Sequence, residues 1–295
     1  MKKLLLILLI ANSINVIAQI PEVEKRALID LYDSLNGEDW TNSWDLSKDI
    51  STWYGIVIRK KNVVSVNLMD NNLVGELPKS IMDFRELEIL NLAFNSIYGE
   101  VPLEITKLEK LSILQLGKNK FEGSISKEIG NLKELQVLDL FANKIKGIIP
   151  KELFQLKKIR VILLSDNNIT GRIPSSVGNL KYLERFEIAN NNIYGDVPEE
   201  FSSLENLKML VLSENSLSGK FPALVFSLPN LKVLQLQRNT FDQDHIKNSI
   251  PTENGLVTLD FENGMEVFKR SNYKKFERND TRMADTKFEE DNDNK

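Results

Sequence analysis

One histidine, His245, and no cysteine in 295 residues narrow the chemistry open to this chain. Cysteine nucleophiles paired with histidine are excluded, and so is any Cys/His metal cluster. His245 falls in an irregular stretch and reads as a solvated surface residue. Neither common form of the glycine-rich phosphate loop is present. What remains is carboxylate chemistry. Asp139 and Glu187 share one position of a repeated pattern, and two carboxylates can cleave a glycosidic bond. They would lie on a shallow face with little desolvation, so the expectation is a protein that is not an enzyme and holds neither cofactor nor metal. The acidic end FEEDNDNK lacks the alternating ligand spacing of a calcium loop.

The elements that position these residues come from one stretch, of which Leu135 to Lys158 (LQVLDLFANKIKGIIPKELFQLKK) is the cleanest copy. Its first position recurs at Val63, Leu87, Leu111, Leu135, Ile159, Leu183, Leu207 and Leu231, a step of 24 residues without insertion. A fixed period of this size means a stacked solenoid. Within the copy, Leu135, Leu138, Leu140, Ile145, Ile149, Leu153 and Leu156 are apolar. One copy cannot bury them alone; stacked copies can, at roughly 1.5–3 kcal/mol for each fully buried side chain. In-and-out alternation around Val137 to Leu140 predicts a short strand in a parallel sheet.

The ninth position is asparagine in every copy: Asn71, Asn95, Asn119, Asn143, Asn167, Asn191, Asn215 and Asn239. An amide carries both donors and an acceptor for the unpaired backbone of a buried turn, so these residues are expected to form a ladder down the stack.

The pattern LxxLxLxxNxLxGxIPxxLxxL resembles the plant-type leucine-rich repeat, from Val63 to about Asn248. The resemblance implies an α/β solenoid with a parallel β-sheet on its concave face and eight repeats. It also implies a second short strand at the Gly-x-apolar-Pro segment, as in Gly147 to Pro150. Ser126 stands where proline is expected, and Gln243 replaces the glycine of the last copy. Relatives of eukaryotic type close both ends with disulfides, so a chain without cysteine is identified with the exported bacterial kind.

Around the solenoid the sequence divides further. Residues 1–18 read as a secretory signal peptide: Lys2 and Lys3, the apolar run Leu4 to Ile10, and Val16-Ile17-Ala18 before a cleavage point. Residues 19–62 read as an N-terminal cap, with Val23, Ala27, Leu28, Leu31 and Leu35 at helical spacing after Pro21. Trp40, Trp44 and Trp53 would cover the open edge of the first copy, with stacking on a sugar ring as the alternative use. Residues 63–249 form the solenoid, and 250–261 a closing strand or hairpin with Leu256, Leu259 and Phe261 inward. Residues 262–295 make a charged, flexible tail. No stretch of the mature chain is long and apolar enough to span a bilayer. The formal charge of −4 comes with no basic stripe, so nucleic acid is not an expected partner. The expected location is secreted, periplasmic or cell-surface.

Third, fifth, seventh and eighth positions of each copy should face out from the concave sheet. There Ile89, Phe94, Ile113, Val137, Phe141, Val161 and Leu163 form an apolar swath with Arg185 and Glu187 at one side and Asp139 within it. Exposed Phe94, Phe141 and Leu163 exceed what solubility would select. These ten residues are the candidate partner-binding set. The function expected is an exported module that engages a protein or peptide, in adhesion or host contact. The alternative is carbohydrate binding, or glycan hydrolysis, through the tryptophans or the concave carboxylates.

Overall fold

A computed structural model of the chain describes residues 20–251 and 255–261. The expected signal peptide at 1–18, the charged tail at 262–295 and the turn residue Asn254 lie outside the described residues.

Each 24-residue copy makes one coil. Its inner side is a strand, and the strands join one ten-stranded sheet in chain order. They are β1 (Ile56–Arg59), β2 (Asn62–Asn67), β3 (Ile89–Asn91), β4 (Ile113–Gln115) and β5 (Val137–Asp139). Then come β6 (Val161–Leu163), β7 (Arg185–Glu187), β8 (Met209–Val211), β9 (Val233–Gln235) and β10 (Thr258–Asp260). Only β1 runs antiparallel to its neighbour. The parallel register holds equivalent positions side by side, as in Asp139↔Leu163↔Glu187.

After the turn, further short strands form a second layer: three from Val74–Glu76 to Lys120–Glu122, and five from Lys146–Ile148 to Thr240–Phe241. Six of the eight contain a glycine at positive φ. Gly171 has φ +88°, and a Cβ there would lie 2.8 Å from Ile148 Cγ2. The two groups meet through a single bridge, Ser124↔Lys146, in the coil where Ser126 replaces proline. The outer side of the first seven coils is a five-residue 3-10 turn, such as Lys151–Gln155, and only the last coil carries an α-helix there. Proline starts six of these turns, where a fixed φ suits the first position. Ser126 starts the seventh by accepting a hydrogen bond from Glu128 N. A small apolar cavity of about 40 Å³ adjoins that coil, between Ile105, Ile129 and Leu138.

At the N-terminal side, α1 (Glu22–Ser34) buries Ala27, Leu28, Leu31 and Tyr32 against the first coil, followed by Leu35. Val23 belongs to the expected stripe by spacing but is 48% exposed, because it lies on the first turn, facing away. Glu24 is buried and its Oε2 accepts the Val63 backbone N–H at 2.7 Å. At the other end Asp242 caps α2 (Gln243–Ser249) by accepting from His245 N. Of the two forms expected for the closing segment, the strand is present: β10 adds in parallel to β9, with Leu256, Leu259 and Phe261 buried. His245 is half-buried rather than solvated, its Nε2 lying 3.1 Å from Phe221 O. Among the described residues no helix is long and apolar enough to cross a membrane.

The asparagines form the expected ladder. Asn143 Nδ2 donates to Leu116 O (3.0 Å), Leu140 O (3.1 Å) and Phe141 O (3.2 Å), while its Oδ1 accepts from Phe121 N at 2.9 Å. The same four-way pattern recurs at Asn167, at Asn191 and in the coils on either side. Asn143→Leu strands these backbone groups in the interior, so we expect a loss of about 1–3 kcal/mol in urea unfolding. An unchanged midpoint would contradict this account of the turn.

Candidate binding face

The concave sheet is less exposed than its alternation implies. Val137, Val161 and Leu163 are only 1%, 8% and 7% exposed and pack together, with Ile113 and Phe141 half-buried against them. They therefore correct the expectation of an open apolar swath. Strands about 4.8 Å apart place each side chain between two equivalents, and inward curvature brings their tips closer still. These three side chains act as a second small core. Ile89 and Phe94 are half-buried and lie towards the N-terminal end. Phe94 sits on a turn with φ +59°, and Lys118 Nζ lies 4.9 Å from its ring centre.

The carboxylates also differ from expectation, because the face desolvates them strongly. Asp139 is 5% exposed. Burial pushes its carboxyl up to about 6; the Phe141 N–H (2.9 Å from Oδ1) and Arg185 oppose this, and Glu187 adds to it. Gly117 supplies the room, since a Cβ there would lie 2.6 Å from Asp139 Oδ1. Burial raises Glu187 as well, against the Arg185 guanidinium, whose Nε and Nη2 donate to Oε1 at 3.0 and 2.6 Å. Leu163 stands between Asp139 and Glu187 in register, so an apolar side chain separates the two carboxyls.

Nor do the tryptophans offer a platform. Trp40, Trp44 and Trp53 are about nineteen-twentieths buried and pack on one another at 4.9 and 4.8 Å. Their Nε1 donors are taken by the carbonyls of Leu35, Tyr54 and Asp45. No ring face is left for a sugar.

One trough opens on the face, of about 170 Å³. Of the ten candidate residues it gathers Phe141, Leu163, Arg185 and Glu187. Ile89, Phe94, Ile113, Val137, Asp139 and Val161 do not line it. It extends instead towards the C-terminal strands, along Ser165, Ala189 and Ser213 to Gln237, with Asp166 and Glu214 at its turn side. Sequence reasoning placed these residues on the face without choosing them, since it sought large apolar side chains and the trough is made by small ones.

The raised Asp139 carboxyl sets the pH response. Between the ordinary value of 3.8 and about 6 the folded chain holds a proton that the unfolded chain has released. Stability therefore falls as pH rises through that window and levels off above it. Asp139→Asn keeps an acceptor for Phe141 N–H. It should remove Asp139's share of that slope, while the raised Glu187 keeps its own, and raise stability at neutral pH by up to about 3 kcal/mol. Urea titrations across the window check this, and a slope unchanged in the variant would refute it.

A family profile described as leucine-rich repeat region matches residues 66–248, more than half of the chain. No protein of curated function matches in sequence. Among solved structures, PEPR1 in its complex with AtPEP1 is similar at 30% identity and TM-score 0.68, over 75% of this chain and 32% of that one. The Arabidopsis receptor kinase HAESA, with the peptide hormone IDA and the co-receptor SERK1, aligns at 33% identity and TM-score 0.60 over 65% and 32%. A plant ice-binding protein aligns at 25% identity and TM-score 0.68 over 83% and 88%. The chain thus spans about one third of the length of the two receptor chains.

Proposed function

This chain belongs to the leucine-rich repeat family, and from that premise we propose that it is an exported module that holds a protein or peptide partner against its concave sheet. The observation that carries the reading is the trough, a concavity with an apolar end at Phe141 and Leu163 and polar walls beyond. A recess that combines a few apolar anchors with convergent polar groups is the usual form of a binding site. The similarity to HAESA, solved with a peptide hormone, supports the same class of ligand. In this reading residues 1–18 direct export, 19–62 and 250–261 close the two ends, and 63–249 present the binding sheet. Adhesion or host contact is the setting such a module would serve.

The test is capture on the immobilised chain beside its Phe141→Glu variant. Phe141 is half-buried at the trough rim, whereas Leu163→Glu would bury a charge and confound binding with folding. Extracellular proteins, peptides and a glycan panel are passed over both surfaces. We expect a protein or peptide ligand whose affinity drops at least about tenfold, roughly 1.4 kcal/mol, in the variant. Ligands held equally by both surfaces would move the function off the trough and overturn the reading.

A further inference from the structure

The floor of the trough is shaped by residue size. Seventh positions on five successive coils read Phe141, Ser165, Ala189, Ser213 and Gln237, three small residues between two large ones. At about 4.8 Å per strand the two ends stand roughly 19 Å apart, the length of about six extended residues. Ser165 and Ser213 are buried, and the Ser165 hydroxyl accepts from Ala189 N at 2.9 Å, so the floor is held in place.

Two acceptors on the walls make no hydrogen bond to the rest of the described residues. Glu187 is nine-tenths buried and gives Oε1 to Arg185, while its Oε2 has no hydrogen-bond partner among the described residues. At the far end Gln237 Oε1 is buried and likewise without a partner. The charged lining residues are Asp166, Glu187 and Glu214 against Arg185, and with Arg238 paired to Glu214 at 3.3 Å one negative charge remains in excess. Glu187 Oε2 is not a buried orphan but is open to the trough, and a charged donor satisfies a carboxylate oxygen best.

We propose that the trough seats an extended peptide segment running across the strands, with an arginine or lysine side chain directed at Glu187 Oε2. A neighbouring apolar side chain of that segment packs on Phe141 and Leu163. This rests on the concave-sheet reading above and names the chemistry of the partner. Charge complementarity supplies the preference for a cation, and the small-residue floor supplies the depth that an extended backbone needs.

The experiment is selection from an unbiased displayed heptapeptide library on the full chain, with counter-selection on Ala189→Leu, which fills the floor. Enriched sequences should carry arginine or lysine next to an apolar residue. In a selected peptide, replacing arginine by its neutral isostere citrulline should weaken binding at least tenfold. Glu187→Gln should weaken the arginine peptide to the same extent and leave the citrulline peptide unchanged, with both variants melting as the parent does. Binders that depend on Ala189 and Phe141 but show no cationic preference would overturn this inference and leave the concave-sheet reading intact. Binders indifferent to Ala189→Leu and Phe141→Glu would overturn both.

Discussion

Every coil turns through a bend whose carbonyls point inward, and the asparagine amide is what satisfies them. From Asn95 to Asn239 each ladder Asn reaches the carbonyls two and three residues behind it in its own coil and one more in the preceding coil, 27 residues back, whereas Asn71 has no partner for its Nδ2 among the described residues. From Asn95 on, the amide oxygen takes an N–H 22 residues back. One side chain therefore fixes both the shape of a turn and its distance from the previous turn. An insertion anywhere in a coil would break that spacing, which explains the unvarying 24-residue step. Strand register, core filling and the alignment of the concave rows all follow from it.

The residue just before each of these asparagines pays a conformational cost. Asp70, Phe94, Lys118, Ala142, Asp166, Asn190, Glu214 and Arg238 all have φ between 50° and 59°. For side chains of this kind the left-handed region costs roughly 1–2 kcal/mol each. The hydrogen bonds of the neighbouring asparagine over-determine the conformation and hold it. Glycine would fit with less strain but would leave the edge of the sheet bare. With side chains retained, this row becomes the wall on which Asp166 and Glu214 stand beside the trough.

The period, the ladder and the order of the strands could all be read from the sequence, because each depends on residue type at a fixed step. Burial on the concave face could not. Alternation says that Val137, Leu163 and Asp139 point away from the main core, but it carries no information about curvature, and curvature is what hides them. The trough was illegible for a related reason. Ser165, Ala189 and Ser213 are unremarkable along the chain; they become a floor only when read across it, one residue per coil. The half-burial of His245 depends on α2, a seven-residue helix too short to show a period.

The second layer is interrupted at one joint. Other neighbouring coils there share two or three paired residues, whereas the coils joined at Ser124 and Lys146 share one bridge. The inner sheet crosses the same joint with full pairing at Ile113, Leu114 and Gln115. Two backbone hydrogen bonds still cross the joint, Lys144 N and Lys146 N donating to Phe121 O and Gly123 O, each at 2.7 Å. A small apolar recess lies beside the joint. The second layer is thus two seams rather than one, and the break falls just before the strands that carry the trough.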